Sequence, residues 1–179
     1  KFYSEELCRR YRRKGMNITI FRPRLISGSG RLGVFQKLFF LIKNNLPVPL
    51  IGDGENHYQM VSVYDCVEAI FKAIEKGYPN EEFNLGSKNP PRVIELIGKL
   101  ISDTGSKSFI VPINTKYIKK IISTISIFGP EILYPEQYQI ADLDCVLNID
   151  KSYNLLGWQP VYNDQDMILD AYDYFVNSI

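Results

Sequence analysis

The stretch ISGSGRLGVFQKLFF, residues 26–40, spells G-x-G-x-x-G at Gly28, Gly30 and Gly33. A strand-like NITIF (residues 17–21) precedes it, and an apolar, helix-like run follows. Asp53 falls about twenty residues after the last glycine, where an acid would read a ribose hydroxyl. Three features oppose a phosphate-cradling turn. Arg22, Pro23 and Arg24 separate the strand from the first glycine, and a proline lacks the N–H that a central strand donates. The helix after Gly33 opens with Val34, Phe35 and Gln36, too bulky for close approach to a strand. Nothing upstream supplies the rest of a nucleotide-binding unit.

Working outward, the 179 residues are enough for one ordinary domain with a real core. Hydrophobic residues make up 45% and charged residues 23%, the balance of a water-exposed globular chain. A net charge of +1 gives no overall field toward nucleic acid, membrane or acidic substrates. The basic run RRYRRK (residues 9–14) closes a helical pattern before Gly15, where cations favour a helix C-terminus. It reads as a solvated helix end, and no nucleic-acid partner is expected. Cys8, Cys66 and Cys145 are odd in number and lack C-x-x-C spacing, which fits a reduced, cytoplasmic setting. The single histidine, His57, rules out all-His metal sites, and no metal is expected. No apolar run reaches the ~18 residues of a membrane span. The chain opens inside a helical pattern, FYSEELCRRYRRKG, with no capping residue and no Met, which reads as a fragment.

Periodicity predicts a strand ending at Pro23, a helix over 33–45 and a short strand over 48–52. A strand at YQMVS then leads to a helix over 66–76 capped by Asp65. EEFNLG is another strand; Asn89, Pro90 and Pro91 open a helix running to about Leu100. SFIVPI is strand-like, Ile118, Ile121, Ile122 and Ile125 mark a helix over 115–128, and a last helix spans about 164–176. Trp158 reads as a core aromatic. GDGEN invites a calcium loop through Asp53, Glu55 and Asn56, but Tyr58 and Tyr64 stand where such a loop needs glycine and glutamate. Strands alternating with helices predict an α/β layer structure.

Several segments, in order, resemble one family. FRPRLISGSG resembles R-P-x-x-(I/V)-x-G-(P/S)-G of the extended short-chain dehydrogenase/reductases, the NAD-dependent epimerase/dehydratases. IGDGENHYQMVSVYDCVEAI resembles its glycine turn, strand and helix; EEFNLGS resembles its (Y/F)-N-(I/L)-G strand; LNIDKSYNLLGWQP resembles its D-x-S-K-A-x-x-x-L-G-(W/F)-x-P close. KFYSEEL is what would follow the family's Y-x-x-x-K were Lys1 the lysine. The resemblance implies an α/β fold: the C-terminal part of such an enzyme, with the last portion of a Rossmann-type sheet and the small α/β substrate-binding lobe. Residues 1–32 would be the remnant of the dinucleotide-binding domain and 33–179 mainly the substrate lobe.

The resemblance also implies chemistry: reversible hydride transfer between a nucleotide sugar, or a related alcohol or ketone, and NAD or NADP. Lys1 would be the catalytic lysine, lowering the pKa of a tyrosine four residues earlier and bonding the nicotinamide ribose. Pro23, Arg24 and Ile26 would face the nicotinamide end. Leu25, Arg31, His57, Tyr58 and Gln59 would contact substrate. The family's asparagine and arginine at two of these positions are replaced by Leu25 and Tyr58, so a nucleotide sugar loses a hydrogen-bonding and a charge partner, and Arg24 and Arg31 are the loop residues that could replace the charge. The fragment is expected neither to hold the cofactor nor to turn over, and to form a homodimer through the first helix's apolar face. The alternative from another class is a non-catalytic ligand-binding or regulatory module retaining only the substrate lobe.

Overall fold

The computed structural model describes residues 2–32, 35–114 and 143–178. The elements in order are α1 (Phe2–Arg12), β1 (Ile20–Pro23), β2 (Leu25–Ser27), α2 (Gln36–Lys43), β3 (Val48–Ile51) and β4 (Met60–Ser62). After them come α3 (Val63–Glu75), β5 (Glu82–Leu85), α4 (Val93–Asp103), β6 (Ile110–Ile113), a π-helical turn at Ser152–Leu156 and α5 (Asp164–Ser178). Three two-stranded ladders form among the described residues, β1–β5, β2–β4 and β3–β6, and each is parallel. Parallel pairing demands long crossovers, which the intervening helices supply, so the expected α/β architecture holds. The isoleucine helix expected over 115–128 lies outside the described residues.

The stretch read as one strand and a loop is two strands in different ladders. Pro23 ends β1 opposite Leu85, and the Arg24 N–H donates the last bond to Leu85 O at 2.9 Å. The next residue, Leu25, already pairs with Met60 in the second ladder. A proline closing β1 is therefore where the chain changes ladders. β1 takes its partner from residues 82–85, so that ladder draws on both sides of residue 32.

β2 and β4 form the wall between two cores. Successive strand residues point to opposite faces. Leu25 and Met60 accordingly join a cluster with Phe39, Leu100, Ile168 and Phe175, while Ile26 and Val61 join one with Phe83, Leu85, Leu156 and Trp158. Phe39 anchors the first through ring contacts with Tyr172 at 5.5 Å and Phe175 at 5.8 Å. Trp158, expected in the core, is 1% exposed and its indole N–H donates to Asp65 O at 2.9 Å.

Two local readings are corrected. α3 starts three residues earlier than expected, capped by Ser62, whose Oγ accepts the Tyr64 N–H at 3.1 Å. Asp65 is therefore in the first turn and buried. In α4 the prolines precede the helix: Arg92 is its N-cap, and the Glu95 carboxylate accepts the Arg92 N–H at 3.2 Å. The basic run is also more than a solvated end. Arg12 is half-buried against β5, 3.0 Å from Glu82, and donates twice to Ile18 O, while Glu5 accepts from both Arg9 and Arg22. α1 buries none of its residues, and Phe2, Tyr3 and Leu7 are exposed.

Asp164 joins α5 to β4 by accepting the Met60 N–H at 2.8 Å. Burial is the largest influence on it and holds its pKa above the usual carboxylate range. Ser87 lies near enough to favour the charged form, yet neither its Oγ nor Asp164 Oδ2 completes a hydrogen bond. A folded-state pKa above the unfolded value gives stability that is full below the unfolded pKa, about 3.9, and lost as pH rises through the folded one. Asp164→Asn keeps the acceptor for Met60 and removes the buried charge. We expect it to match or exceed the parent in stability near pH 7 and to flatten the gain on acidification. Urea midpoints taken across the carboxylate range check this; an unaltered pH slope would refute it.

Candidate functional site

In open α/β sheets ligands gather beyond the carboxyl ends of the strands, where the connections part. Here that place is Pro23 and Arg24 at the end of β1, beside Leu85 and Gly86 at the end of β5. Two features meet there: the turn before β4 and the segment 143–149.

Arg24 lies at the centre. Its Nε donates to Cys145 O at 3.0 Å, and its guanidinium carbon stands 4.8 Å from the centroid of the Tyr58 ring. Its Nη2 is buried without a hydrogen-bond partner. Tyr58 runs parallel to Cys145 in an isolated bridge. His57 clasps the same segment: its N–H donates to Asp144 Oδ1 at 2.7 Å, its Nδ1 lies 3.1 Å from that oxygen, and its carbonyl accepts the Cys145 N–H at 2.9 Å. The His57 N–H, followed by the ring, holds the exposed Asp144 carboxyl below its usual range.

Gln59, expected to face substrate, is 1% exposed with both amide atoms engaged. Nε2 donates to Ser87 O at 2.7 Å and Oε1 accepts the Leu147 N–H at 2.9 Å. It sits at the floor of a cavity of about 610 Å³ between residues 87–90, 146–150 and 158–160. Leu25 packs into the first core and Ile26 against the second, while the Arg31 side chain is exposed and its N–H donates to Gly28 O at 2.9 Å. The structure thus brings Arg24, Tyr58 and His57 onto one patch and leaves Arg31 on the loop. Lys1 lies outside the described residues.

The 28–31 loop answers the glycine question. The Ser29 N–H, which a phosphate-cradling turn would aim at its ligand, donates to Asp170 Oδ2 at 2.8 Å, and Ser29 Oγ donates to the same carboxylate. A carboxylate already fills the place an anionic pyrophosphate would need. Gly28, at φ +137°, and Gly30, at φ +75°, serve the turn geometry.

Pro23, Arg24 and Ile26 suit the nicotinamide end of a dinucleotide as a wall rather than as holders. Pro23 has no N–H, the Arg24 N–H is bonded to Leu85 O, and Ile26 is in register with Val61 in the ladder. Among the described residues no cluster of His, Cys, Asp or Glu is arranged to hold a metal, and no helix is long and apolar enough to cross a membrane. The three cysteines are free; burial pushes the Cys66 thiol up to about 11, which leaves it protonated and inert.

The partners that matter most to this patch, Asp144, Cys145 and Asp170, carry no local signal. Each lies about 87 to 141 positions from the residue it meets. Gly86 had one, standing in the FNLG strand, but the reason for it is tertiary: a Cβ there would come within 2.3 Å of Gln59.

Comparison with known proteins fits this geometry. Residues 1–86 match the model of the NAD dependent epimerase/dehydratase family. The chain is 28% identical to protein y4nG of Sinorhizobium fredii, covering 98% of this chain and 44% of that protein. It is 26% identical to the dTDP-glucose 4,6-dehydratase of Haemophilus influenzae, covering 76% and 39% respectively. Among solved structures, the UDP-glucuronic acid 4-epimerase of Bacillus cereus, in complex with UDP-glucuronic acid and NAD, superposes with a TM-score of 0.71 at 21% identity, over 100% of this chain and 52% of that one. The UDP-glucose 4-epimerase of Thermotoga maritima gives 0.69 at 24% identity, over 99% and 50%. The chain spans less than half the length of these two curated relatives.

Proposed function

We propose that this chain, whose residues 1–86 match the NAD dependent epimerase/dehydratase family model, is the substrate-binding portion of an enzyme of that kind, one converting a nucleotide sugar, or a related alcohol or ketone, by reversible hydride transfer. The observation that carries the reading is the patch at the carboxyl ends of β1 and β5, where Arg24, Tyr58 and the His57–Asp144 pair meet. A cation stacked on a phenol ring suits the anionic part of a ligand, and the His57–Asp144 pair beside it suits a hydroxylated part. The dTDP-glucose and UDP-sugar enzymes among the similar proteins support the nucleotide-sugar choice.

Bound nicotinamide supplies the hydride acceptor and donor. The chain's own part is to position substrate: the backbone at Pro23, Arg24 and Ile26 walls the reacting end, and Tyr58 and His57 border the substrate. Lys1 is assigned the lowering of a tyrosine pKa and a bond to the nicotinamide ribose. Residues 1–32 are assigned to the dinucleotide-binding unit and 33–179 mainly to the substrate lobe. The exposed apolar residues of α1 support a homodimer through that helix, and three free cysteines support a cytoplasmic setting.

Saturation-transfer NMR on the purified chain tests the central point. UDP-glucose or dTDP-glucose should receive saturation on nucleoside and sugar protons, and free glucose far less. Absence of transfer to both nucleotide sugars would sink the reading.

A further inference from the structure

Resting on that reading, we infer that Arg24 holds an oxyanion of the substrate, with the Tyr58 ring as its platform. A charged N–H buried without an acceptor is costly, and native folds keep few of them. Arg24 Nη2 is one: it is shut off from water and has no hydrogen-bond partner among the described residues.

The neighbouring arginines differ. Arg22 is paired with Glu5, Arg12 with Glu82, and Arg92 with both Glu55 and Glu95. Arg31 is exposed on its loop, where water solvates it. Arg24 has contacts of another kind, a carbonyl and an aromatic face, and neither cancels its charge. With Nε fixed on Cys145 O and the plane laid over Tyr58, the guanidinium is held in one orientation. A preoriented, partly desolvated guanidinium with an unused N–H is what a bidentate oxyanion binds. Arg24 is only partly buried as a residue, so part of its side chain borders solvent beside the buried Nη2. The position also fits: Arg24 is where the chain passes from the β1–β5 ladder to the β2–β4 ladder, at the carboxyl end of β1.

The oxyanion comes from one of two sources, a nucleotide diphosphate or a carboxylate on the sugar. Isothermal titration of the chain with UDP-glucose, UDP and glucuronate, for the parent, Arg24→Met and Arg24→Lys, separates them. The parent should bind UDP-glucose, and Arg24→Met should bind whichever of the three ligands carries the recognised oxyanion at least tenfold more weakly. Arg24→Lys, which keeps a point charge without the fork, should recover part of the loss, and this recovery is what a merely structural role would not produce. A loss confined to UDP assigns the diphosphate; a loss confined to glucuronate assigns the carboxylate. Should Arg24→Met fail to fold, Arg24→Lys carries the comparison, with a several-fold loss expected. Parent-like affinity in a folded Arg24→Met, or in Arg24→Lys when it stands alone, overturns the role of Arg24 and leaves the proposed function standing. A parent chain that binds no nucleotide sugar overturns both.

Discussion

Gly86→Ala is expected to destabilise the chain by about 3 kcal/mol. Its Cβ would stand 2.3 Å from Gln59 Cδ, 2.4 Å from Oε1 and 2.6 Å from Nε2. These atoms end a flexible side chain, and on an exposed residue they would swing aside at little cost. Gln59 has no such freedom, being buried and bonded at both ends of its amide to Ser87 O and the Leu147 N–H. Moving it orphans both backbone groups and unfastens segment 143–149 from the end of β5. Urea unfolding followed through Trp158, the only tryptophan, measures the change directly. Parent-like stability would mean that Gln59 does not clamp the two segments.

Asp65→Ala is expected to cost about 2 kcal/mol, and Asp65→Asn about half of that. The carboxylate is 2% exposed and accepts the Val161 N–H at 3.0 Å and the Tyr162 N–H at 3.3 Å. Removing it leaves two amides without acceptors. The loss is partly offset because burial disfavours the charge, and it is burial that holds the Asp65 pKa above the usual carboxylate range. Asparagine keeps one acceptor oxygen and drops the charge, which is why its cost is smaller. The Trp158 indole bonds to the Asp65 backbone carbonyl and stays bonded in both variants. Equal denaturation midpoints for the alanine variant and the parent would rule out this role.

Both predictions concern contacts that the linear pattern could not reveal. The strand at YQMVS, the helices expected over 33–45 and 66–76, and the FNLG strand were legible because each is a local pattern imposed by one buried face. Helix starts were less legible. Ser62 and Asp65 are both good caps, and the choice fell to Ser62 because Asp65 is claimed by amides almost a hundred residues away. The glycine motif misled in the same way: its letters suit a phosphate turn, and only the Asp170 carboxylate on the Ser29 amide shows that the turn serves its own chain.

By itself, then, the order of residues settled the alternation of strands and helices and, through several short segments, a resemblance to NAD dependent epimerase/dehydratases that the family model matches over residues 1–86. Spacings of two and of three to four residues are enough for that, since backbone geometry fixes which side chains share a face. The tertiary structure alone decided the passage from one ladder to another at Arg24, the burial of Gln59 and the stacking of Arg24 on Tyr58. Those depend on Cys145, Leu147 and Ser87 arriving from distant parts of the chain. A hydrogen bond between remote segments is set by how whole layers dock, and no local repeat encodes it.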